Sequence, residues 1–206
     1  HCISSAASDV YKRQQLKQQS QILELSEKLS LESTTPLINV NNKKIEVYDR
    51  DSIPISFEAI LENYTNLVLD FEVLPNDIYY VHVKPDAVID IFQKTTDSLN
   101  FTFKTKKISE YGKIFFNPIQ KKYPLIIDLI NTKDEVVDSQ YLASASDNCV
   151  FENILPGEYT IRVIEDKNEN KKRDTGNFLG KIQPEKTYFN DEIIKVRANW
   201  ILRESF

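Results

Sequence analysis

Apolar residues recur at every second position through most of this chain, and that period limits what it can build. Ile45 and Val47 alternate with Lys44 and Glu46, Tyr79, Val81 and Val83 with Tyr80 and His82, and Leu99, Phe101 and Phe103 with Asn100 and Thr102. Successive side chains of an extended strand point to opposite faces, so alternation over roughly four to eight residues describes strands with one face on a core and one in water. Ile53, Ile55, Phe57 and Ala59 form a further run, as do Leu67, Leu69, Phe71 and Val73. Pro54 cannot donate to a ladder, which places its run at a sheet edge. Asp86 follows Pro85 and can cap, so DAVIDIF, Asp86 to Phe92, reads as one helical turn. Residues 36–111 are therefore expected to form a small antiparallel sandwich of the Ig-like kind.

Tyr111-Gly112 is the expected joint, and a second set of strands follows over residues 112–206. Lys113 to Asn117 is the first, and Pro124 to Ile130 pairs with Glu135 to Asp138 across the turn residues Asn131 to Asp134. Residues 142–148 read as a loop and Cys149 to Asn153 as a strand. Leu155-Pro156-Gly157-Glu158 carries the residues of a type II turn, whose third position needs positive φ. Tyr159, Ile161 and Val163 alternate next, followed by Phe178 to Gly180, Lys186 to Phe189, and one long run through Ile194, Val196, Ala198, Trp200 and Leu202.

The N-terminal segment reads differently. Residues 1–14, HCISSAASDVYKRQ, resemble a translated cloning adapter and are set aside. In residues 15–35, Ile22, Leu25 and Leu29 follow helical spacing, and Ser33-Thr34-Thr35-Pro36 ends the run, so a short amphipathic helix and linker are expected. The fold class is thus all-β, two small antiparallel β-sandwich domains with a short N-terminal helix.

Composition removes whole classes of function. A net charge of −5 over 206 residues and a pI near 5.2 argue against nucleic acid as partner, because phosphate neutralisation needs a basic face. No apolar run approaches the ~20 residues of a membrane helix. The chain contains no methionine, so it is read as a piece of a longer reading frame, and targeting signals are not judged from it. Two cysteines and two histidines leave little material for zinc or thiol chemistry. Cys149, in the alternation with Phe151, is expected to be a small buried hydrophobe. His82 falls on a wet face without a nucleophile to serve. The four glycines, Gly112, Gly157, Gly176 and Gly180, are isolated, which excludes a glycine-rich phosphate loop. Asp86, Asp90, Asp97, Asp191 and Glu192 supply carboxylates, but paired acids need a sugar-binding cleft that sequence does not reveal. Most aromatics, including Tyr188, Phe189 and Trp200, sit at alternating positions and are read as packing. Tyr80, opposite in phase to Tyr79, is the exposed exception.

The one constellation with a testable chemistry follows Glu165. In DKNENKKRDTG, Asp166, Asn168, Asn170 and Asp174 occupy relative positions 1, 3, 5 and 9. Alternate residues of a tight loop can turn their oxygens inward, and calcium takes about six to eight oxygen ligands. The loop lacks glycine at position 6, where Lys171 stands, and a carboxylate at position 12, where Asn177 stands; Glu185 or Glu169 could complete the shell if folding brings either close. The other reading is a polar turn whose Asn and Asp side chains bond their own backbone.

LPGEYTIRVIEDKNENKKRDTG, then QPEKTYF and VRANW, resemble the C-terminal module of bacterial Ig-like-domain lipoproteins of the Gram-negative cell surface. That pattern runs L-x-P-G-x-Y, a strand, D-x-N-x-N-G-x-W-D-x-G, Q-P-E and R-A-N-W. The resemblance covers roughly residues 36–206 and is most specific over 155–200. Lys171 departs from the family glycine and Arg173 from the family tryptophan. It implies a prealbumin-like or carboxypeptidase-regulatory-like sandwich for 112–206, a lipid-anchored protein at the outer membrane, and no activity. The expected function is a non-catalytic structural or interaction module with a surface protein or glycan as partner and a calcium-stabilised loop. The alternative is a carbohydrate-binding accessory module using exposed aromatics near that loop or Tyr80.

Overall fold

Where apolar residues alternate, strands form. The computed structural model describes residues 16–206 apart from 19, 120, 178, 182 and 191, so the adapter-like stretch, Phe178 and Asp191 lie outside the described residues. The chain is all-β and divides between Lys106 and Lys107 into two units, each a β-sandwich with its own core.

In unit 1 the strands are β1 (Leu16–Gln18), β2 (Ile22–Leu23), β3 (Leu29–Ser33), β4 (Leu37–Val40), β5 (Ile45–Tyr48), β6 (Glu58–Glu62), β7 (Asn66–Asp70), β8 (Ile78–Val83), β9 (Val88–Asp90) and β10 (Leu99–Thr105). One sheet is ordered β1-β3-β7-β6 and another β2-β10-β8-β5, with β4 and β9 paired as a ribbon. Leu29, Leu31, Leu67 and Leu69 from the first sheet share a core with Ile45, Val47, Tyr79, Val81 and Phe103 from the second. Ile53 to Ala59 contributes only the bridge Tyr48–Pro54 before β6 begins, as befits a segment that cannot donate at proline.

Two helical expectations fail here. The described residues of the segment 15–35 form no helix but supply β1, β2 and β3. Leu29 and Leu31 are fully buried at period two, whereas Ile22, part of the helical triad, is 47% exposed. Leu29 and Leu31 pair with Leu69 and Leu67 across β3 and β7. A strand that completes a sheet and buries leucines outcompetes a short helix that is marginal alone. DAVIDIF likewise forms β9, not a helical turn, because Val88 to Asp90 pair with β4. Asp86 does not cap a helix; its φ of 59° makes it a turn residue.

Unit 2 opens with a 3₁₀ turn, Ile108–Glu110. Its strands are β11 (Gly112–Asn117), β12 (Leu125–Asn131), β13 (Val136–Leu142), β14 (Cys149–Ile154), β15 (Gly157–Glu165), β16 (Thr187–Phe189), β17 (Ile194–Val196) and β18 (Ile201–Ser205). The sheets are ordered β14-β11-β18 and β13-β12-β15-β16, with β17 also on β15. Pairing is antiparallel except that β2 runs parallel to β10 and β18 parallel to β11. The β12–β13 hairpin forms as the turn residues require. β12 is buried from Leu125 to Ile130, Asp128 included. Asp128 meets its cross-strand neighbours Ser139 and Arg162 in register. Arg162 donates through Nε and Nη2 to Oδ2 at 3.0 and 2.7 Å, and Ser139 Oγ to Oδ1 at 2.7 Å. A buried charge is tolerable only with such pairing.

The expected type II turn at Leu155 to Glu158 is not formed. Gly157 starts β15, and the described glycine with positive φ is Gly176. Positive φ falls instead on Asn153, at 55°, inside β14 where its pairing with β11 shifts register. Gly157 is needed for another reason. The Tyr159 ring folds back so that its hydroxyl donates to the Leu155 carbonyl at 2.8 Å, and a Cβ on Gly157 would meet that ring at 3.3 Å. This tie resembles the tyrosine corner of sandwich folds. The long terminal run is also broken. A turn closed by Trp200 N–H to Arg197 C=O at 3.2 Å, with Asn199 at φ 59°, transfers the chain from β17 in one sheet to β18 in the other. Trp200 sits on that turn, 46% exposed, not in the core, and Phe189 is 52% exposed. Residues 179–181 are a turn where a strand was expected.

Asp128→Ala leaves Arg162 without its buried partner and is expected to destabilise the protein by about 3 kcal/mol. Tyr159→Phe removes one hydrogen bond and should cost about 1 kcal/mol. Urea unfolding followed by circular dichroism measures both; equal losses would contradict the assignment.

Candidate functional site

β15 is buried to its end, and it delivers Asp166 to the mouth of the polar loop with 1% of its surface exposed. Asp166 N–H donates to the Pro124 carbonyl at 3.0 Å, which anchors the loop on the segment before β12. Its carboxylate points the other way. Oδ2 accepts from Lys171 N–H at 2.8 Å and Oδ1 from Asn170 N–H at 3.3 Å. Asn168 and Asn170 both donate their amides to Asp174 Oδ2, at 2.6 and 3.1 Å. Their Oδ1 atoms accept from Asn170 and Lys172 N–H groups two residues on. Asp166, Asn168, Asn170 and Asp174 therefore belong to one network.

Glu185 joins them from the far side of the loop. It is buried, and its two oxygens accept from Lys167 N–H and Asp174 N–H, both at 3.0 Å, while its own N–H donates to Asp174 C=O at 3.2 Å. Glu169 stays exposed at φ 59°. Asn177 Oδ1 accepts from Gly180 N–H in a separate turn. Lys171 has φ 60°, so it holds the left-handed turn at the position where such loops carry glycine; this costs a side-chain-bearing residue about 1–2 kcal/mol. Its ammonium lies 5.1 Å from the Tyr141 ring centroid, a favourable cation–π placement.

From Asp166 to Asp174 the loop carries three acidic and four basic residues. Among the described residues no lysine or arginine forms an ion pair with Asp166, Asp174 or Glu185. Burial first, then the charges of Asp166 and Glu169, push the Tyr141 phenol above its ordinary range. Beside the loop, buried Glu165 accepts from Tyr188 Oη at 3.0 Å and Lys122 N–H at 3.3 Å. That bond, then burial, raises the Tyr188 phenol. Two carboxylates and two amides are the donors the spacing brings together; among the described residues no three His, Cys, Asp or Glu side chains are grouped to hold a metal ion.

The other candidates resolve into structural or surface roles. His82 is exposed on the outer face of β8, edge-on to Tyr48 at 6.0 Å, and Tyr80 on the same face is 37% exposed. Asp90 is buried and accepts from Phe92 and Lys94 N–H groups at 2.9 and 2.8 Å and from Thr35 Oγ1 at 3.2 Å. Asp86 pairs with Lys44 at 3.4 Å. Cys149 is buried at 3% exposure, and burial, with Asp138 as a lesser cause, pushes its thiol up to about 12. Reasoning from sequence named Glu185 only conditionally and missed the Glu165–Tyr188 bond; the Q-P-E string, Gln183 to Glu185, was the available signal for the first.

No protein-family model matches the chain, and no curated protein sequence matches it. Among solved structures, native alpha-2-macroglobulin from Escherichia coli, spanning domains MG0-NIE-MG1, is similar at TM-score 0.42 and 11% identity, over 88% of this chain and 90% of that one. BcpA, the major pilin subunit of Bacillus cereus, is similar at TM-score 0.31 and 9% identity, over 94% and 68%. The BSP domain of a biofilm associated protein is similar at TM-score 0.28 and 9% identity, over 88% and 29%. Likenesses this distant say nothing of this chain's activity.

Replacing Lys171 by glycine is expected to relieve the left-handed strain at the expense of the ring contact, a net gain of about 0.5–1 kcal/mol in urea unfolding. In a Cys2→Ser background Cys149 is expected to resist a thiol reagent at mildly alkaline pH until the protein unfolds. Because its folded value lies above the ordinary 9.0, its contribution to stability is intact below about 9 and falls as pH rises toward about 12. Rapid labelling of the native protein would contradict its burial.

Proposed function

We propose that this chain is a non-catalytic structural and interaction module of a bacterial cell-surface lipoprotein, with calcium stiffening the loop from Asp166 to Asn177. The observation that carries the reading is where the buried carboxylates point. Asp90, Asp166 and Glu185 each hold backbone N–H groups. Asp128 holds Arg162 and Ser139, and Glu165 holds Tyr188 and Lys122. A carboxylate engaged in this way fixes a fold, whereas a catalytic acid or base must exchange its proton with a substrate. The resemblance of residues 155–200 to surface lipoproteins supports the location.

Three features support calcium. The loop offers hard oxygen donors at alternate positions, as calcium sites do. Its carboxylates have no lysine or arginine ion pair among the described residues. Lys171 already adopts the turn such loops require. With this donor set the affinity belongs in the weak, roughly 10⁻⁴–10⁻³ M class of extracellular modules.

Calcium at roughly ten times Kd is expected to stabilise the protein by about 1.4 kcal/mol, a rise of several degrees in melting temperature. The rise should disappear in Asp174→Asn. An unshifted wild-type protein would remove calcium and leave the module reading standing. That reading is tested by fractionating cells that express the full-length protein: confinement to the cytoplasm would overturn it.

A further inference from the structure

Unit 2 carries a pocket of about 340 Å³ beside the turn that joins β17 to β18, at the lower end of the roughly 300–1,000 Å³ range of small-ligand sites. Its apolar wall is Ile108, Trp200 and Ile201, which remain 64, 46 and 65% exposed. Its polar wall is Lys113, Glu152, Asn153 and Asn199.

The frame is fixed by backbone. Asn199 N–H donates to Tyr111 C=O at 2.8 Å and Lys113 N–H to Trp200 C=O at 2.9 Å. Gly112 lies so close to the facing chain that a Cβ would meet Val196 Cγ1 at 2.3 Å. Asn153 and Asn199 have φ of 55° and 59°, a conformation asparagine tolerates better than most side chains. Neither amide is hydrogen-bonded within the described residues, so both are available to a ligand. The Arg197 guanidinium sits 4.7 Å from the Trp200 ring centroid. Arg197 is not among the residues that line the pocket, whereas Trp200 is. Lys113 and Glu152 are ion-paired at the wall.

We propose that this pocket binds a pyranose ring of a saccharide. Such a ring has an apolar C–H face and a rim of hydroxyls that both donate and accept. The indole provides a flat surface with a negative face toward C–H groups. The asparagine amides offer a donor and an acceptor each, the carboxylate accepts and the ammonium donates. A phosphate-bearing ligand finds only Lys113 in this wall, already paired with Glu152. The inference goes beyond the structural role and rests on the geometry of unit 2 alone, so it holds wherever the protein resides and whether or not the loop takes calcium.

Trp200 is the only tryptophan, so a single indole N–H resonance reports on the site. The full chain, labelled with ¹⁵N, is titrated with cellobiose, lactose, mannobiose and diacetylchitobiose at millimolar concentrations. At least one is expected to move the indole resonance saturably. The double substitution Asn153→Gly with Asn199→Gly keeps the backbone conformation, because glycine accepts positive φ, and should weaken that sugar by about tenfold or more with the melting temperature held. Glu152→Gln, at an exposed position, gives a second variant expected to weaken binding. An indole resonance unmoved by every sugar, or a response undiminished in both variants, would overturn the proposal.

Discussion

A carboxylate taken out of water must be met by donors, and that requirement shapes the described chain at point after point. Asp90 gathers the turn after β9 and ties it to Thr35. Asp128 pins β13 and β15 to the two sides of β12. Asp166 and Glu185 grip the polar loop from its two ends. In each case the donor lies on another strand or several residues away, so the group stays buried only if the whole local arrangement is correct. Buried polar groups of this kind specify one packing among many that hydrophobicity alone would permit.

The balance between hydrophobic pattern and such groups explains how far the fold could be read from sequence. β5, β8 and β10 were legible because their apolar residues face the core of unit 1, and β12 and β15 because theirs face the core of unit 2. The N-terminal segment was not, since Ile22, Leu25 and Leu29 satisfy a helical period while Leu29, Leu31 and Ser33 satisfy a strand period. The partner β7 decides between them, and no local pattern contains that partner. The run from Ile194 to Leu202 misled for a related reason: alternation persists across a turn made by Asn199, although the strands on either side join different sheets.

The same distinction holds at the sites. Alternating Asp and Asn residues disclosed one hydrogen-bonded loop, because the interactions run between residues two to six apart. Glu185 closes that loop from eleven residues beyond Asp174, a distance at which spacing gives no guidance. Trp200 was assigned to a core by its phase, and it lines an open pocket because the chain turns immediately before it. Left-handed backbone at Lys171 and Asn199 is a property of the completed turn, and at Asn153 of the register shift between β14 and β11, not of the residue.

The parallel pairing of β18 with β11 places the first and last strands of unit 2 side by side, in register from Lys113–Ile201 to Asn117–Ser205. Tension drawing the head of β11 and the tail of β18 apart would run along the strands and across their hydrogen bonds. The bonds would then be loaded together, in shear, and could not open one at a time like a hairpin. The sheet β14-β11-β18 therefore has the geometry of a mechanical clamp.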